Sequence, residues 1–155
     1  MSFISIDDRD VINNYYADIS SKKLTEQLNR LKAENIGCAV TNLGENRYKI
    51  TLPVVTCNGG NVISYFMIPY MHEFERMDIK HVTSAGADST DTLQYNISYR
   101  LNTHWMLLSD DVATHSDIID EFQKVFLERS QYRIISNSVI TNTLTVSIYV
   151  RVTGL

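Results

Sequence analysis

Alternation of apolar and polar residues with a period of two dominates the second half of the chain. Residues 92–102 read TLQYNISYRLN, and residues 142–152 read NTLTVSIYVRV. In each stretch every second residue is apolar, as expected for a β-strand that buries one face. The apolar face of the later stretch comprises Leu144, Val146, Ile148, Val150 and Val152. Both stretches therefore predict strands whose apolar side faces a core.

The opposite faces of these two strands carry polar and aromatic side chains. Neutral hydrogen-bonding groups with an occasional arginine or tyrosine suit either water or a wet protein contact. The small, polar loop over residues 84–91 is predicted to form an exposed tip that can also touch neighbours. The candidate interaction residues are Asp88, Asp91, Gln94, Asn96, Arg100, Tyr149 and Arg151.

Four pairs of strands are predicted as hairpins. GCAVTNL and RYKITLPVVT flank turn residues at positions 44–46, and Pro53 marks an edge or a bulge because proline cannot donate to a ladder. Asn58–Gly59–Gly60–Asn61 predicts a tight turn into VISYFMIPYMHEF. MDIKHVT is expected to pair with TLQYNISYRLN across the loop of residues 84–91. YRIISNSVI and NTLTVSIYVRV are expected to form the last pair.

A helical period predicts two helices near the N-terminus. The first follows Asp7 and Asp8 and covers VINNYYADI, because acidic residues favour a helix start. The second places Leu24, Leu28 and Leu31 on one stripe and ends at Gly37, a typical helix stop.

A third helix is predicted at about residues 115–129. Thr114 and Asp117 have the spacing of a capping box, and the following IIDEFQKVFLER is strongly amphipathic. The expected fold is therefore a single α+β domain over residues 1–155. It comprises N-terminal helices over 1–36, and over 37–155 an antiparallel sheet with long hairpins and the third helix. The amphipathic helices would pack on one face of the sheet.

Composition narrows the classes of function. The 155 residues have a formal net charge of -4, with basic residues scattered singly, which disfavours a dedicated nucleic-acid binder. A chain of this length can bury a core without a metal or a disulfide. Cys38 and Cys57 lie outside any Cys-x-x-Cys arrangement and are expected to be reduced thiols. No signal peptide or membrane span is predicted, so synthesis in a cytoplasm is expected.

Catalytic motifs are weak. His81-Val82-Thr83 resembles one half of the paired His-x-Thr motif of 2H phosphoesterases, but the second half is missing. One alternative is therefore a small nucleotide-directed phosphoesterase, or a nucleotide-binding protein, that uses His81 and His115 as an acid and base pair. No histidine or cysteine has the spacing of a zinc site. We predict no enzymatic activity, no cofactor and no metal.

Tyrosine is in excess, with nine residues in the chain. Tyrosine buries a large area while keeping a hydroxyl at the rim, and it is enriched in protein interfaces. As a set, these residues favour an interaction surface.

The order of elements resembles that of phage tail-terminator and tail-completion proteins at the head–tail junction. The elements are the hairpin from VISYFMIPYMHEF to TLQYNISYRLN, the helix SDIIDEFQKVFLER and the closing strand NTLTVSIYVRV. The resemblance implies a structural protein of the virion that forms a homo-oligomeric ring, commonly sixfold. Its implied partners are other copies of itself and other virion proteins, with no membrane and no specific nucleic acid, and its implied location is the virion after synthesis in the host cytoplasm. A second alternative function is a phage-encoded inhibitor of a host protein, which would share the interaction surfaces but not the ring.

Overall fold

Two antiparallel β-sheets and one helix make up the computed structural model, which describes residues 22–83, 92–114, 116–119, 130–138 and 141–152. Helix α1 covers residues 22–34. The strands, in chain order, are β1 (Ala39–Gly44), β2 (Arg47–Thr51), β3 (Val55–Cys57), β4 (Val62–Ile68), β5 (His72–Thr83), β6 (Thr92–Leu101), β7 (His104–Thr114), β8 (Ser116–Ile119), β9 (Ser130–Ser138) and β10 (Asn142–Val152).

The pairing of the strands is nested. The first sheet has the order β1-β2-β10-β5-β8, with β3 also paired to β10, and the second has the order β4-β9-β6-β7. Thus β3 pairs with β10, β4 with β9, β5 with β8, and β6 with β7. From β3 to β6 the chain alternates between the two sheets, and from β7 to β10 it alternates again. The pair β6 and β7 in the middle stays in the second sheet. This is the arrangement of a jelly roll, in which one long folded-over ribbon wraps into two sheets.

The core lies between the two sheets and follows the alternation in the sequence. Along β10 every second residue from Asn142 to Val152 is buried, and the same pattern runs along β9. The five predicted apolar residues of β10 are all buried. Leu93, Tyr95 and Ile97 of β6 are buried as predicted, whereas Leu101 at the end of that strand is exposed.

An aromatic cluster joins the two sheets at one end of the core. Phe66 of β4 stacks on Tyr132 of β9 with ring centroids 4.9 Å apart. Phe74 of β5 meets Tyr132 edge-on at 4.8 Å, and His72 lies 5.6 Å from the same ring. Because Phe66 and Tyr132 belong to the second sheet and the other two to the first, the cluster fixes how the sheets face each other.

His72 is held inside this cluster by two hydrogen bonds. Its Nδ1 contacts the carbonyl oxygen of Tyr70, and its Nε2 contacts the hydroxyl of Tyr132. Since a carbonyl can only accept, Nδ1 carries the proton and Nε2 accepts from the tyrosine. Burial raises the pKa of Tyr132 and lowers the pKa of His72, which keeps both groups neutral.

Helix α1 bridges the two sheets at the side where β2 and β4 lie. The hydroxyl of Tyr48 on β2 donates to Oε1 of Gln27 at 2.6 Å. Asn35 lies just past the helix, and its side-chain amide bonds the backbone of Met67 as a neighbouring strand would. Its Nδ2 donates to the Met67 carbonyl at 2.8 Å, and its Oδ1 accepts from the Met67 N–H at 2.7 Å. Leu31 fills the space between them and is fully buried. Gly37, at φ 88°, turns the chain after the helix as predicted.

The predicted hairpin of β1 and β2 is confirmed. Ala39 to Gly44 pairs with Arg47 to Thr51, and the turn residues Glu45 and Asn46 have φ of 54° and 61°. The strand stops before Pro53, after which β3 resumes pairing with β10.

The predicted α+β class is wrong. Among the described residues there are ten strands and one short helix, so no layer of amphipathic helices covers a sheet face there. Residues 116–119, expected to begin the third helix, form β8 and pair with β5. The ladder to a neighbouring strand there prevails over the local helical period. Residues 7–19 and 120–129, which carry the other predicted helical turns, lie outside the described residues.

Three of the predicted strand pairings are also wrong. β5 lies in the first sheet and β6 in the second, so MDIKHVT does not pair with TLQYNISYRLN. β9 and β10 are likewise in different sheets. Residues 58–61 connect β3 to β4 between sheets rather than closing a hairpin. Alternation reveals which face of a strand is buried, but both sheets bury their inner faces in the same core.

Replacing Asn35 with alanine should destabilise the protein. The substitution removes the amide that bonds the Met67 backbone at the edge of the second sheet, and we expect a loss of about 1–3 kcal/mol in the free energy of unfolding. Urea unfolding followed by circular dichroism measures it. Asn29→Ala, on an exposed position of the same helix, is the matched control and should change stability by less than about 0.5 kcal/mol.

Stability should depend on the protonation of His72. Burial, partly opposed by the bond to Tyr70, lowers its pKa in the folded state, while the unfolded chain titrates near 6.5. The unfolded state therefore binds the proton first. The stabilisation is complete above about pH 6.5 and is lost as the pH falls towards the folded pKa, by up to about 1.4 kcal/mol per pH unit.

This pH dependence can be isolated with paired variants. Urea unfolding of His72→Gln between pH 5 and 7.5 should show a shallower fall in stability than the original protein. His104→Gln, at an exposed histidine, should leave the slope unchanged. An equal slope in the original protein and in His72→Gln contradicts the assignment.

Candidate functional site

The outer face of the first sheet is charged and paired within itself. Arg151 contacts Glu73 at 2.6 Å across β10 and β5, and Arg47 contacts Glu75 at 2.9 Å. Arg76 contacts Asp78 at 2.9 Å. Partly exposed pairs of this kind add little stability, but they leave these three arginines with carboxylate partners.

Tyr149 lies in the middle of that charged face. The guanidinium carbon of Arg76 lies 4.1 Å from its ring centroid, and the Lys49 ammonium lies 5.7 Å from it. The candidate interaction residues Tyr149 and Arg151 are thus both engaged by neighbours on their own sheet. A partner that used them would first have to displace these contacts.

The outer face of the second sheet is different, because it gathers aromatic and apolar side chains. Register places Tyr65 of β4 opposite Arg133 of β9, and Arg133 opposite Ser98 of β6. On the other side of β6, Arg100 is opposite Trp105 of β7. Residues paired across neighbouring strands lie on the same side of a sheet, so these side chains share one face.

Trp105 is the centre of this arrangement. The guanidinium carbon of Arg133 lies 4.4 Å from the Trp105 ring centroid, and the Tyr65 ring lies 6.3 Å away at an angle of 47°. We call the surface formed by Tyr65, Trp105, Arg133 and the flanking Ile63 and Leu107 the aromatic face. Trp105 is also the single tryptophan of the chain.

Much of the aromatic face is open to solvent. Tyr65 is 53% exposed, Ile63 45% and Leu107 56%. Ser98, although it lies in the same outward row as Arg133, is only 5% exposed. The larger side chains around it therefore form a continuous layer over the strands, and this layer presents apolar surface to solvent.

Two arginines on this side of the sheet have no carboxylate partner among the side chains that the structure describes. Arg100 donates from Nε to the carbonyl oxygen of Asn102 at 3.1 Å. The Nε of Arg133 makes no hydrogen bond to any described group, and its guanidinium rests on the Trp105 ring. The contrast with the first sheet is direct, since Arg47, Arg76 and Arg151 each meet a carboxylate there.

The structure separates the candidate interaction residues into three groups. Gln94, Asn96 and Arg100 lie on the outer side of the second sheet with Trp105, whereas Tyr149 and Arg151 lie on the outer side of the first sheet. Asp88 and Asp91 lie outside the described residues.

Sequence reasoning did not single out Tyr65, Trp105 or Arg133. They come from three strands whose pairing alternation cannot reveal. The available signal for this site was the position of Trp105, the single tryptophan, shortly after the strand TLQYNISYRLN.

The histidines do not form an acid and base pair in the described part of the chain. His81 lies on β5 and is fully buried, and His115 lies outside the described residues. His72 is committed to Tyr70 and Tyr132 in the core. Among the described residues, no group of three potential ligands could hold a metal ion.

The remaining chemistry of the described residues is equally limited. Burial raises the pKa of the Cys38 and Cys57 thiols, which makes them poor nucleophiles, and both are free cysteines. No helix in the described ranges is long and apolar enough to cross a membrane.

Comparison with known proteins gives only weak structural similarity. No protein-family model matches the chain, and no curated protein matches its sequence. A chain of the Sulfolobus Turreted Icosahedral Virus is similar at 7% identity and a TM-score of 0.47, over 68% of this chain and 39% of the viral one. PirA is similar at 9% identity and a TM-score of 0.43, over 72% and 99%.

Carbohydrate-binding modules are also among the similar structures. One that is specific for non-crystalline cellulose is similar at 10% identity and a TM-score of 0.42, over 76% of this chain and 80% of that module. The three similar structures come from different classes of protein, and none of these values identifies a family. The chain is thus weakly similar to a viral protein, among others.

Removing the charge of Arg133 should weaken the folded state slightly. Arg133→Met keeps an unbranched apolar stem but removes the guanidinium and with it the cation–π contact with Trp105, which is worth about 0.5–1 kcal/mol at exposed sites. Arg100→Met is the matched control, because that guanidinium donates to the Asn102 carbonyl and stacks on no ring among the described residues. It should change stability by less than about 0.5 kcal/mol. Urea unfolding compares the two, and equal losses would contradict a contribution from stacking.

Proposed function

We propose that this chain is a non-enzymatic assembly protein that works by protein–protein contact through its aromatic face. The observation that carries the proposal is the clustering of Tyr65, Trp105 and Arg133 on an outer sheet face. Tryptophan, tyrosine and arginine dominate binding hot spots, because they bury large areas and lose little conformational freedom.

The flanks of the aromatic face have the composition of a protein interface. Ile63 and Leu107 add exposed apolar surface, and Gln94 and Asn96 add neutral hydrogen-bonding groups beside it. An apolar centre with a polar rim is the usual anatomy of such contacts. A solvated sheet face has no need of this composition, as the charged outer face of the first sheet illustrates.

The partner that fits best is a second copy of this chain. Arg100 and Arg133 are unmatched by the described carboxylates, so the partner surface should be acidic. The whole chain carries 14 basic and 18 acidic residues, so that removing these two arginines leaves 12 against 18, a balance of -6. A basic face on one copy can therefore meet an acidic surface elsewhere on the next. Such head-to-tail contacts generate a ring when their rotation closes.

We propose further that the chain is a component of a phage virion at the tail or the head–tail junction, where its copies form a ring. Sixfold rings are common among the tail-terminator proteins that its sequence resembles. Support for a virion setting comes from the nested strand order, because jelly rolls are common in viral capsid domains, although lectins share them. The resemblance to tail-terminator proteins depended on a hairpin and a helix. Here β5 and β6 lie in different sheets, and residues 116–119 form a strand.

Truncating the centre of the aromatic face should disrupt self-association. Sedimentation velocity over a concentration series should show oligomers of the original protein, and Trp105→Ala should weaken their association at least about 30-fold, equivalent to a hot spot of about 2 kcal/mol. Tyr149→Ala is the matched control. It removes an aromatic ring that is also stacked with an arginine, but this ring lies on the outer face of the first sheet, away from the aromatic face. It should leave association unchanged.

The single tryptophan gives a second, direct measurement. If copies bury Trp105, the emission of the original protein should shift to shorter wavelength as the concentration rises. A monomer at all concentrations with constant emission overturns the proposal. Emission that responds to soluble cellulose oligosaccharides but not to protein concentration would instead make the aromatic face a glycan site.

A further inference from the structure

Strand β1 forms an edge of the first sheet and projects beyond the core. Of its six residues only Val40 is partly buried, while the other five are exposed. Leu43 is 48% exposed, so an apolar side chain lies on a strand that packs on little besides β2. None of the other described strands pairs with the outer edge of β1.

This edge lacks the protection that proteins usually give to edge strands. The sequence AVTNLG contains no charged residue and no proline, which are the common means of preventing an edge from pairing with another chain. The edge strand β4 of the second sheet is treated differently, because the Asn35 amide occupies the backbone groups of Met67. The fold therefore covers part of one edge and leaves the β1 edge able to pair.

We propose that β1 pairs antiparallel with β1 of a second copy across a two-fold axis, joining their first sheets into one. Antiparallel pairing of identical edges requires an axis perpendicular to the sheet, and that axis keeps each residue on its own side. Residues facing each other must then be separated by an even number of positions or be the same residue. Thr41, Val40 or Asn42 could lie on the axis.

Thr41 is the centre that fits the strand. With Thr41 on the axis, all five residues from Ala39 to Leu43 are paired, and each Leu43 side chain meets Ala39 of the partner subunit. A centre at Asn42 would also pair five residues, but it would place Gly44, which offers no side chain, opposite Val40 of the partner subunit. A centre at Val40 would pair only three residues of the strand. Facing threonines are also a favourable cross-strand pair.

This contact is independent of the proposed function, because it uses the edge of the first sheet and not the aromatic face of the second. The backbone N–H and C=O groups along β1 supply the affinity, as in other cases of strand addition. The exposed Leu43 supplies apolar contact on one side of the joined sheet. The partner is specified by geometry alone, since an antiparallel pair of identical strands is self-complementary.

The register can be tested by symmetric cross-linking. In a Cys38→Ser background, which removes the half-buried native thiol near the strand, Thr41→Cys should form a disulfide-linked dimer with oxidised glutathione. Directly facing residues have Cα atoms about 4.5–5.5 Å apart, within the range of a disulfide. Leu43→Cys is the matched control on the same strand. Two such residues would be four positions out of register, about 13 Å apart, and should not cross-link.

A charge on the axis provides a second test. Thr41→Lys places two like charges opposite each other and should weaken dimerisation, measured by sedimentation in the original Cys38 protein, at least fivefold. Thr56→Lys, at an exposed threonine of β3, should have no such effect. Equal cross-linking of Thr41→Cys and Leu43→Cys, or dimerisation insensitive to Thr41→Lys, overturns the proposal. Loss of association in Trp105→Ala with intact cross-linking at Thr41→Cys would leave this inference standing and confine the change to the aromatic face.

Discussion

Contact between the two sheets through the aromatic cluster is the interaction on which the other features depend. Phe66 and Tyr132 from one sheet meet Phe74 and His72 from the other in a dry interior, where burial keeps the imidazole and the phenol uncharged. Once the inner faces are fixed in this way, the outer faces are free to differ. One has become a network of ion pairs, and the other has become a surface of rings and apolar side chains.

The sequence predicted the faces of the strands better than their partners. The buried sides of β6 and β10 follow from alternation, because burial on one side is a local consequence of a single core. Which strand lies beside β10 is decided by how the ribbon wraps. The residues of β2, β3 and β5 that pair with β10 are between 59 positions away from it, as with Thr83 and Asn142, and 104 positions away, as with Arg47 and Arg151. Hairpins between sequence neighbours were therefore the natural expectation. That expectation is confirmed for β1 and β2 but is wrong for β5 with β6 and for β9 with β10. Residues 116–119 were predicted as helix from their amphipathic pattern, but they form β8. Their pairing with β5 is also a distant contact that a local pattern does not reveal.

The candidate site shows the same division. The polar half of β6 was identified from the sequence, and Gln94, Asn96 and Arg100 do lie on an outer face. The aromatic centre was not identified, because Tyr65, Trp105 and Arg133 become neighbours only through the order β4-β9-β6-β7. Tyr65, in the apolar stretch VISYFMI, is half exposed, whereas Ser98, on the polar face of β6, is buried. Side-chain character alone could not distinguish them.

The position of β10 has a consequence for synthesis. This strand, made after all the others, lies in the interior of the first sheet, where it pairs with β2, β3 and β5. The strands on either side of it cannot form that sheet on their own, so high contact order delays folding until residues 142–152 have been translated. Until then the exposed edges are unmatched and prone to aggregate. A nascent chain would therefore be a natural client for chaperones, and copies could not associate through a completed first sheet before residues 142–152 of each had been made.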